Sequence, residues 1–352
     1  MVNILIKIEK QEIRMGKIFR VFLLLIFVSR ICLYSENTGS YYSELGVLSQ
    51  PWDTTQKAYV DFTYLIKVSG AEGFLDESSI RLYEVEGEKE IEVPFNFIKE
   101  NDFDIKDNAS GKIIFKVKGE KDPEKANKKF RLYFDTTKEI KKAVAKVDES
   151  LKEANLVPNI GFEEEERAGI PARTPYFYSA SMQAAFSEGR ILLDKQVFYK
   201  GEKSVKLIGK EGTDIPIVIT PFPGYKKDGF PYVFRVVPGW RYRFGYWTKG
   251  SNCAKSKYET TTGNAPIFSS QIYWYDKEGN YISRNTSDLT CKIESYPYSW
   301  DWVYKEQIVQ APEKAYYGMF HVQFFCYEGS MWVDEPIIDL AQEVSFTNCY
   351  KK

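Results

Sequence analysis

Val237-Pro238-Gly239-Trp240-Arg241-Tyr242-Arg243-Phe244-Gly245-Tyr246-Trp247-Thr248-Lys249 holds a turn and a strand in one line. Pro238 pre-sets φ for the first corner of the turn, and Gly239 tolerates positive φ at the next. Beyond the turn the residues alternate. Tyr242, Phe244 and Tyr246 share one face of an extended chain, while Arg241, Arg243 and Trp247 share the other. The aromatic set predicts a core face. Trp247 beside arginines suits a sugar ring stacked next to charged donors, and equally suits an indole buried under a loop or a neighbouring domain.

A second strand repeats the pattern, with Phe320, Val322 and Phe324 on one parity and His321 and Gln323 on the other. His321 is the only histidine of the chain. Imidazole and amide groups donate and accept hydrogen bonds, which fits hydroxyls as well as it fits a solvated sheet face. Tyr273 and Gln271 are comparable on another strand, and Trp274 is expected in the core.

Working outward, short alternating segments fill both halves of the 352-residue chain. From about Ser40 to Asp135 the strands are expected around Val60-Phe62-Tyr64-Ile66, Ile91-Val93-Phe95-Phe97, Ile113-Phe115-Val117 and Phe130-Leu132-Phe134. Gly-rich turns separate them. Between them and the second half, Ile140, Val144, Val147 and Leu151 recur at helical spacing and predict a semi-rigid helical spacer over 137–153. The fold class read from this is all-β: a small β-sandwich over 40–136, the spacer, a larger sandwich over 154–340, and a short tail over 341–352.

Aromatics make up 16% of the residues, which favours pleated surfaces. The formal net charge of −1 leaves no basic surplus to hold nucleic acid. Lys17 and Arg20 followed by the apolar run Val21–Val28 read as a signal peptide ending by residue 36, with translation starting at Met15. The run is short for a bilayer span. Export makes Cys253, Cys291, Cys326 and Cys349 candidates for two disulfides. Three pairings are open, and Cys253–Cys291 with Cys326–Cys349 is the expectation, each joining chain neighbours.

Several segments of the second half together resemble family 4/9-type carbohydrate-binding modules, which are galactose-binding-like jelly rolls. Asn155-Leu156-Val157-Pro158-Asn159-Ile160-Gly161-Phe162-Glu163 is similar to their opening, and Lys200 to Leu207 to their G-x-x-S turn and strand. Val237 to Lys249, Asp276 to Asn280, Trp300-Asp301-Trp302 ahead of Ala311 to Ala315, and Gly329 to Glu335 follow in the family's order. The resemblance implies a jelly roll that binds a poly- or oligosaccharide. It also implies a structural calcium near Glu163 and Asp334, with Glu335 standing where a second Asp is frequent. Gly73 to Tyr83 loosely resembles accessory β-sandwich modules of secreted carbohydrate-active proteins.

No G-x-S-x-G elbow, phosphate loop or His/Cys metal set appears. The expected function is therefore a secreted or surface, non-catalytic glycan-binding protein. The expected ligand face carries Trp247, Arg243, His321, Gln323 and Tyr273. The alternatives are a structural or adhesive surface protein whose jelly roll contacts protein, and an accessory subunit of a polysaccharide-degrading enzyme.

Overall fold

The computed structural model describes residues 39–140, 148, 151, 153–157, 160–167, 170–171, 185, 187–210, 217–219, 233–253, 268–288, 298–324 and 327–352. The signal segment, most of the spacer, Cys291 and Cys326 lie outside the described residues.

The first sandwich is built from β1 (Tyr41–Leu48), β2 (Thr54–Asp61), β3 (Phe74–Glu86), β4 (Lys89–Glu92), β5 (Phe95–Lys99), β6 (Ser110–Val117) and β7 (Asn127–Thr137). Two late strands, β20 (Ser345–Phe346) and β21 (Tyr350–Lys351), return to it. One sheet runs β21-β1-β7-β3-β4 and the other β20-β2-β6-β5. Val60, Phe115, Phe130, Leu132 and Phe134 are fully buried between them. The segment after Leu340, expected to be a tail, is therefore part of this domain.

Two expected strands are corrected. Phe62, Tyr64 and Ile66 lie in helix α1 (Phe62–Ser69), not in an extension of β2. The Asp61 side chain accepts from Tyr64 N at the helix start, and Gly70 closes the helix at φ 68°. Phe62, Leu65 and Ile66 still reach the core, so an alternating apolar pattern disguised a helix. Likewise Ile91 to Phe97 is two strands, because Pro94 interrupts the ladder and the chain crosses from one sheet to the other.

The second sandwich contains a small hairpin, β8 (Glu165–Arg167) with β9 (Ile170–Pro171). Its main strands are β10 (Ile191–Asp194), β11 (Ser204–Ile208), β12 (Ile217–Ile219), β13 (Phe234–Arg235), β14 (Arg241–Cys253), β15 (Phe268–Tyr275), β16 (Tyr281–Asp288), β17 (Tyr298–Gln310), β18 (Tyr317–Phe324) and β19 (Ser330–Leu340). One sheet, ordered β10-β11-β19-β14-β17, carries β14 near its edge; the other is ordered β12-β18-β15-β16, with β13 also on β18. Tyr242, Phe244 and Tyr246 face Phe320, Val322, Ile272 and Trp274 across the core, as parity requires. Gly239 takes φ 76° in the turn before β14, where Trp240 N donates to Val237 O at 3.2 Å.

The two sandwiches are fastened together. The Arg235 guanidinium, 1% exposed, donates to the carbonyls of Ser49 (3.0 Å), Glu120 (2.6 Å) and Lys121 (2.9 Å). Gln50 exchanges two hydrogen bonds with the Arg235 backbone, and Trp52 Nε1 donates to Leu156 O at 2.8 Å. Asn155 bridges Thr55, and its side chain also bonds Pro336 and Ile338 across 181 and 183 residues of chain.

The disulfide expectation fails at Cys349. It is a free thiol packed against the first core beside Ser69, its pKa raised by burial. The chain carries it there because β21 pairs with β1, away from the sandwich that contains β18. Cys253 is buried in the other core with its sulfur 3.3 Å from Ser330 O.

Candidate functional site

The five expected ligand residues do not share one face. Arg243 and Trp247 stand on the β14 sheet, while Tyr273, His321 and Gln323 stand on the β18 sheet, where Tyr273 packs against a small buried cluster of Tyr275, Tyr317 and Met319. The outer faces of two packed sheets point in opposite directions, so a single site holding all five is ruled out.

On the β18 sheet the register sets Ser269 opposite Gln323, Gln271 opposite His321, and Tyr273 opposite Met319. A chain of neutral polar groups results. Ser269 Oγ donates to Gln323 Oε1 at 3.2 Å, Gln323 Nε2 to Gln271 Oε1 at 3.3 Å, and Tyr273 OH to the same Oε1 at 2.6 Å. The Tyr273 ring lies 5.2 Å from that of His321. His321 is 3% exposed, and burial lowers its pKa to about 4, so the imidazole is neutral at pH 7. Ser269 was not singled out from the sequence; its signal is its position two residues before Gln271 on the same strand parity.

The outer face of the β14 sheet is charged and partly covered. Asp339 sits directly across from Arg243 and binds it through two oxygens, at 2.9 and 2.5 Å. This pairing raises the Arg243 pKa. Trp247 is opposite Tyr304 on one side, and its ring stacks on Tyr199 at 3.7 Å and 13° on the other. The face looks into a groove of about 620 Å³ whose far wall is the outer face of β2, β5 and β6, with Lys57, Ile98, Lys112 and Ile114. Ile114 belongs to no core of its own sandwich yet is 3% exposed, and its cross-strand neighbour Asn96 is bonded to Asp148 and Leu151 of the segment between the sandwiches. Tyr199, Trp302 and Tyr304 were missed in the sequence. Tyr199 lies in a loop, where no periodicity points to its direction.

Asp334, expected as a metal ligand, holds that loop. Its Oδ2 accepts from Tyr199 N (2.8 Å) and Lys200 N (3.2 Å), and its Oδ1 from Glu335 N (2.8 Å). Burial pushes the carboxyl up to about 6, against these hydrogen bonds. Glu163 Oε1 accepts from Glu202 N (2.8 Å) and Lys203 N (3.3 Å). The Lys203 ammonium sits on Glu163 O at 2.7 Å and Glu165 Oε1 at 3.1 Å. Among the described residues no three His, Cys, Asp or Glu side chains converge as metal ligands. Calcium requires six to eight oxygens free to face it. Here the oxygens already face N–H groups and an ammonium, and this donor set does not fit a divalent cation.

No family model matches the chain, and no curated protein matches it in sequence. Among solved structures, it is similar to a family 61 carbohydrate-binding module in complex with β-1,4-galactotriose. That likeness has 13% identity and a TM-score of 0.28, covering 53% of this chain and 99% of that one. It is similar to the CBM22-1 xylan-binding domain of Paenibacillus barcinonensis Xyn10C at 11% identity and a TM-score of 0.27, covering 53% and 94%. It is also similar to the enzymatically active domain of bacteriophage CBA120 tailspike protein 4 at 14% identity and a TM-score of 0.30, covering 43% of this chain. The match spans 17% of the tailspike chain. These three neighbours are carbohydrate-binding modules and a tailspike domain.

Proposed function

We propose that the protein is exported and binds a neutral glycan, without cleaving it, on the outer face of the β18 sheet. The observation that carries this reading is the linked neutral set Ser269, Gln323, Gln271 and Tyr273, joined at 2.6 to 3.3 Å, with an aromatic ring among them. Amides and hydroxyls in this arrangement present donors and acceptors to sugar hydroxyls, and the Tyr273 ring offers a surface for a pyranose face. A neutral His321 adds a group that does not select for charge.

Binding is favoured over hydrolysis because glycosidases set two carboxyl groups across the scissile bond. On the opposite face Asp339 is held by Arg243 and Glu335 by Lys200 at 3.4 Å, so each is committed to a cation. Export rests on the apolar segment after Met15. N-terminal sequencing of the mature protein is expected to begin near residue 37.

The test is a glycan array on the full chain, followed by calorimetric titration of the best oligosaccharide. Tyr273→Ala and Gln271→Ala are each expected to weaken binding tenfold or more while the melting temperature holds. No saccharide bound at millimolar concentration, or wild-type affinity in both variants, would overturn the proposal.

A further inference from the structure

We propose that the groove between the two sandwiches is a second saccharide site, formed only when both are joined, and that it takes a short neutral sugar segment stacked on Tyr199. The groove's volume, about 620 Å³, lies within the range of small-ligand sites, about 300–1,000 Å³. Its aromatic element is built, not incidental. Tyr199 is 41% exposed although one ring face lies on Trp247, so its exposure is on the side away from the indole. Its loop is held by the two backbone donors that Asp334 accepts. Trp302 meets the Tyr199 ring edge-on at 5.9 Å, which fixes its plane.

The charges identify the class of ligand. Arg243 is paired with Asp339, Lys200 with Glu335, and Lys112 with Glu100 at 2.7 Å. Among the described residues Lys57 and Glu153 line the groove without an ion pair, one of each sign. Beyond the single charge that Lys57 or Glu153 could meet, a polyacidic or polybasic ligand would have to break an existing pair to find its counter-charges. Hydroxyl groups need not, because paired guanidinium, ammonium and carboxylate groups keep spare N–H donors and oxygen lone pairs. Ile98 and Ile337 offer apolar contact beside the ring.

The site depends on both domains. Lys57, Ile98 and Lys112 come from the first sandwich, and Tyr199 and Arg243 from the second. This site is separate from the β18-sheet face and stands or falls without it.

The experiment titrates the full chain by calorimetry with xylohexaose, cellohexaose, mannohexaose, β-1,4-galactotriose and hexagalacturonate. Two variants probe the groove from opposite walls: Tyr199→Ala removes the ring, and Ile98→Trp fills the space from the first sandwich. Gln271→Ala reports on the other face. The expected result is a binding step for a neutral probe that weakens tenfold or more in both groove variants and is unchanged in Gln271→Ala. Hexagalacturonate is expected to bind no better than the neutral probes. The proposal is overturned if no neutral probe binds at millimolar concentration. It is equally overturned if both groove variants bind as wild type, if only Gln271→Ala weakens binding, or if hexagalacturonate is preferred.

Discussion

The two outer faces of the second sandwich come from the same sequence device and end with opposite characters. Both arise from alternation on long strands, one parity packed between the sheets and the other turned away. On the β18 sheet the outward set is neutral and bonded to itself: serine, two glutamines and a tyrosine beside a neutral histidine. On the β14 sheet it is ionic, with Arg243 on Asp339, and it faces another domain across a groove. Alternation decides in or out. What a face becomes depends on what the rest of the chain lays over it.

The largest way to break this difference is to open the joint. Arg235→Ala removes a buried cation from three backbone carbonyls. Leaving a buried carbonyl unpaired costs about 1–3 kcal/mol each. The expected outcome is a large fall in unfolding free energy by denaturant titration, with new proteolytic cleavage between the sandwiches. A variant as stable as wild type would mean the joint is held elsewhere.

Next is pH, because the two faces hold buried groups with opposite slopes. His321 has its pKa lowered from 6.5 to about 4 by burial, so the native state resists a proton that the unfolded state accepts. Its stability is complete above pH 6.5 and is lost as pH falls toward 4, by roughly 3 kcal/mol at most. Asp334 is raised from 3.8 to about 6, so the native state takes a proton more readily than the unfolded one. Its effect runs the other way, and stability is gained as pH falls from 6 toward 3.8. Relative to wild type, His321→Gln should gain stability between pH 6.5 and 4, and Asp334→Asn should lose it. Melting curves at three pH values decide the matter; parallel curves for all three proteins would contradict both assignments.

A smaller effect sharpens the ionic side. Asp339→Asn leaves Arg243 with a neutral partner, at a cost of about 1–3 kcal/mol. Replacing both by Gln and Leu, which removes the charge and its need, should recover part of that loss. The smallest effect concerns the expected calcium. EDTA should leave the melting temperature of the full chain unchanged, because backbone N–H groups hold the Asp334 and Glu163 carboxylates. A chelator-dependent fall of several degrees would restore the metal reading.

Much of this was legible, and the limits are physical. The inward positions of Tyr242, Phe244, Tyr246 and Phe320 follow from a two-residue repeat, which is local. The sheet each strand joins depends on pairing between residues far apart, and so Trp247 and His321 were expected together. Residue 199 lies in a loop, and its direction comes from Asp334, 135 positions later. Phe62 to Ser69 misled because an eight-residue helix offers barely two turns of evidence, and Asp61 as a cap was the overlooked clue. Glu163 and Asp334 do sit near one another, around the Lys200–Lys203 loop, but their neighbours are donors and not the free oxygens a cation requires.

β20 and β21 have a consequence for synthesis. The ribosome delivers the first sandwich from residue 41 onward, yet a second partner of each of Tyr41, Tyr42, Tyr59 and Val60 lies on strands made some two hundred residues after β7. Domains that emerge first usually fold first. Here Tyr42 and Tyr59 must wait with open ladder edges while some two hundred further residues are added. A nascent chain stalled before residue 345 would carry those unpaired edges, and would be the form most open to strand exchange with another copy.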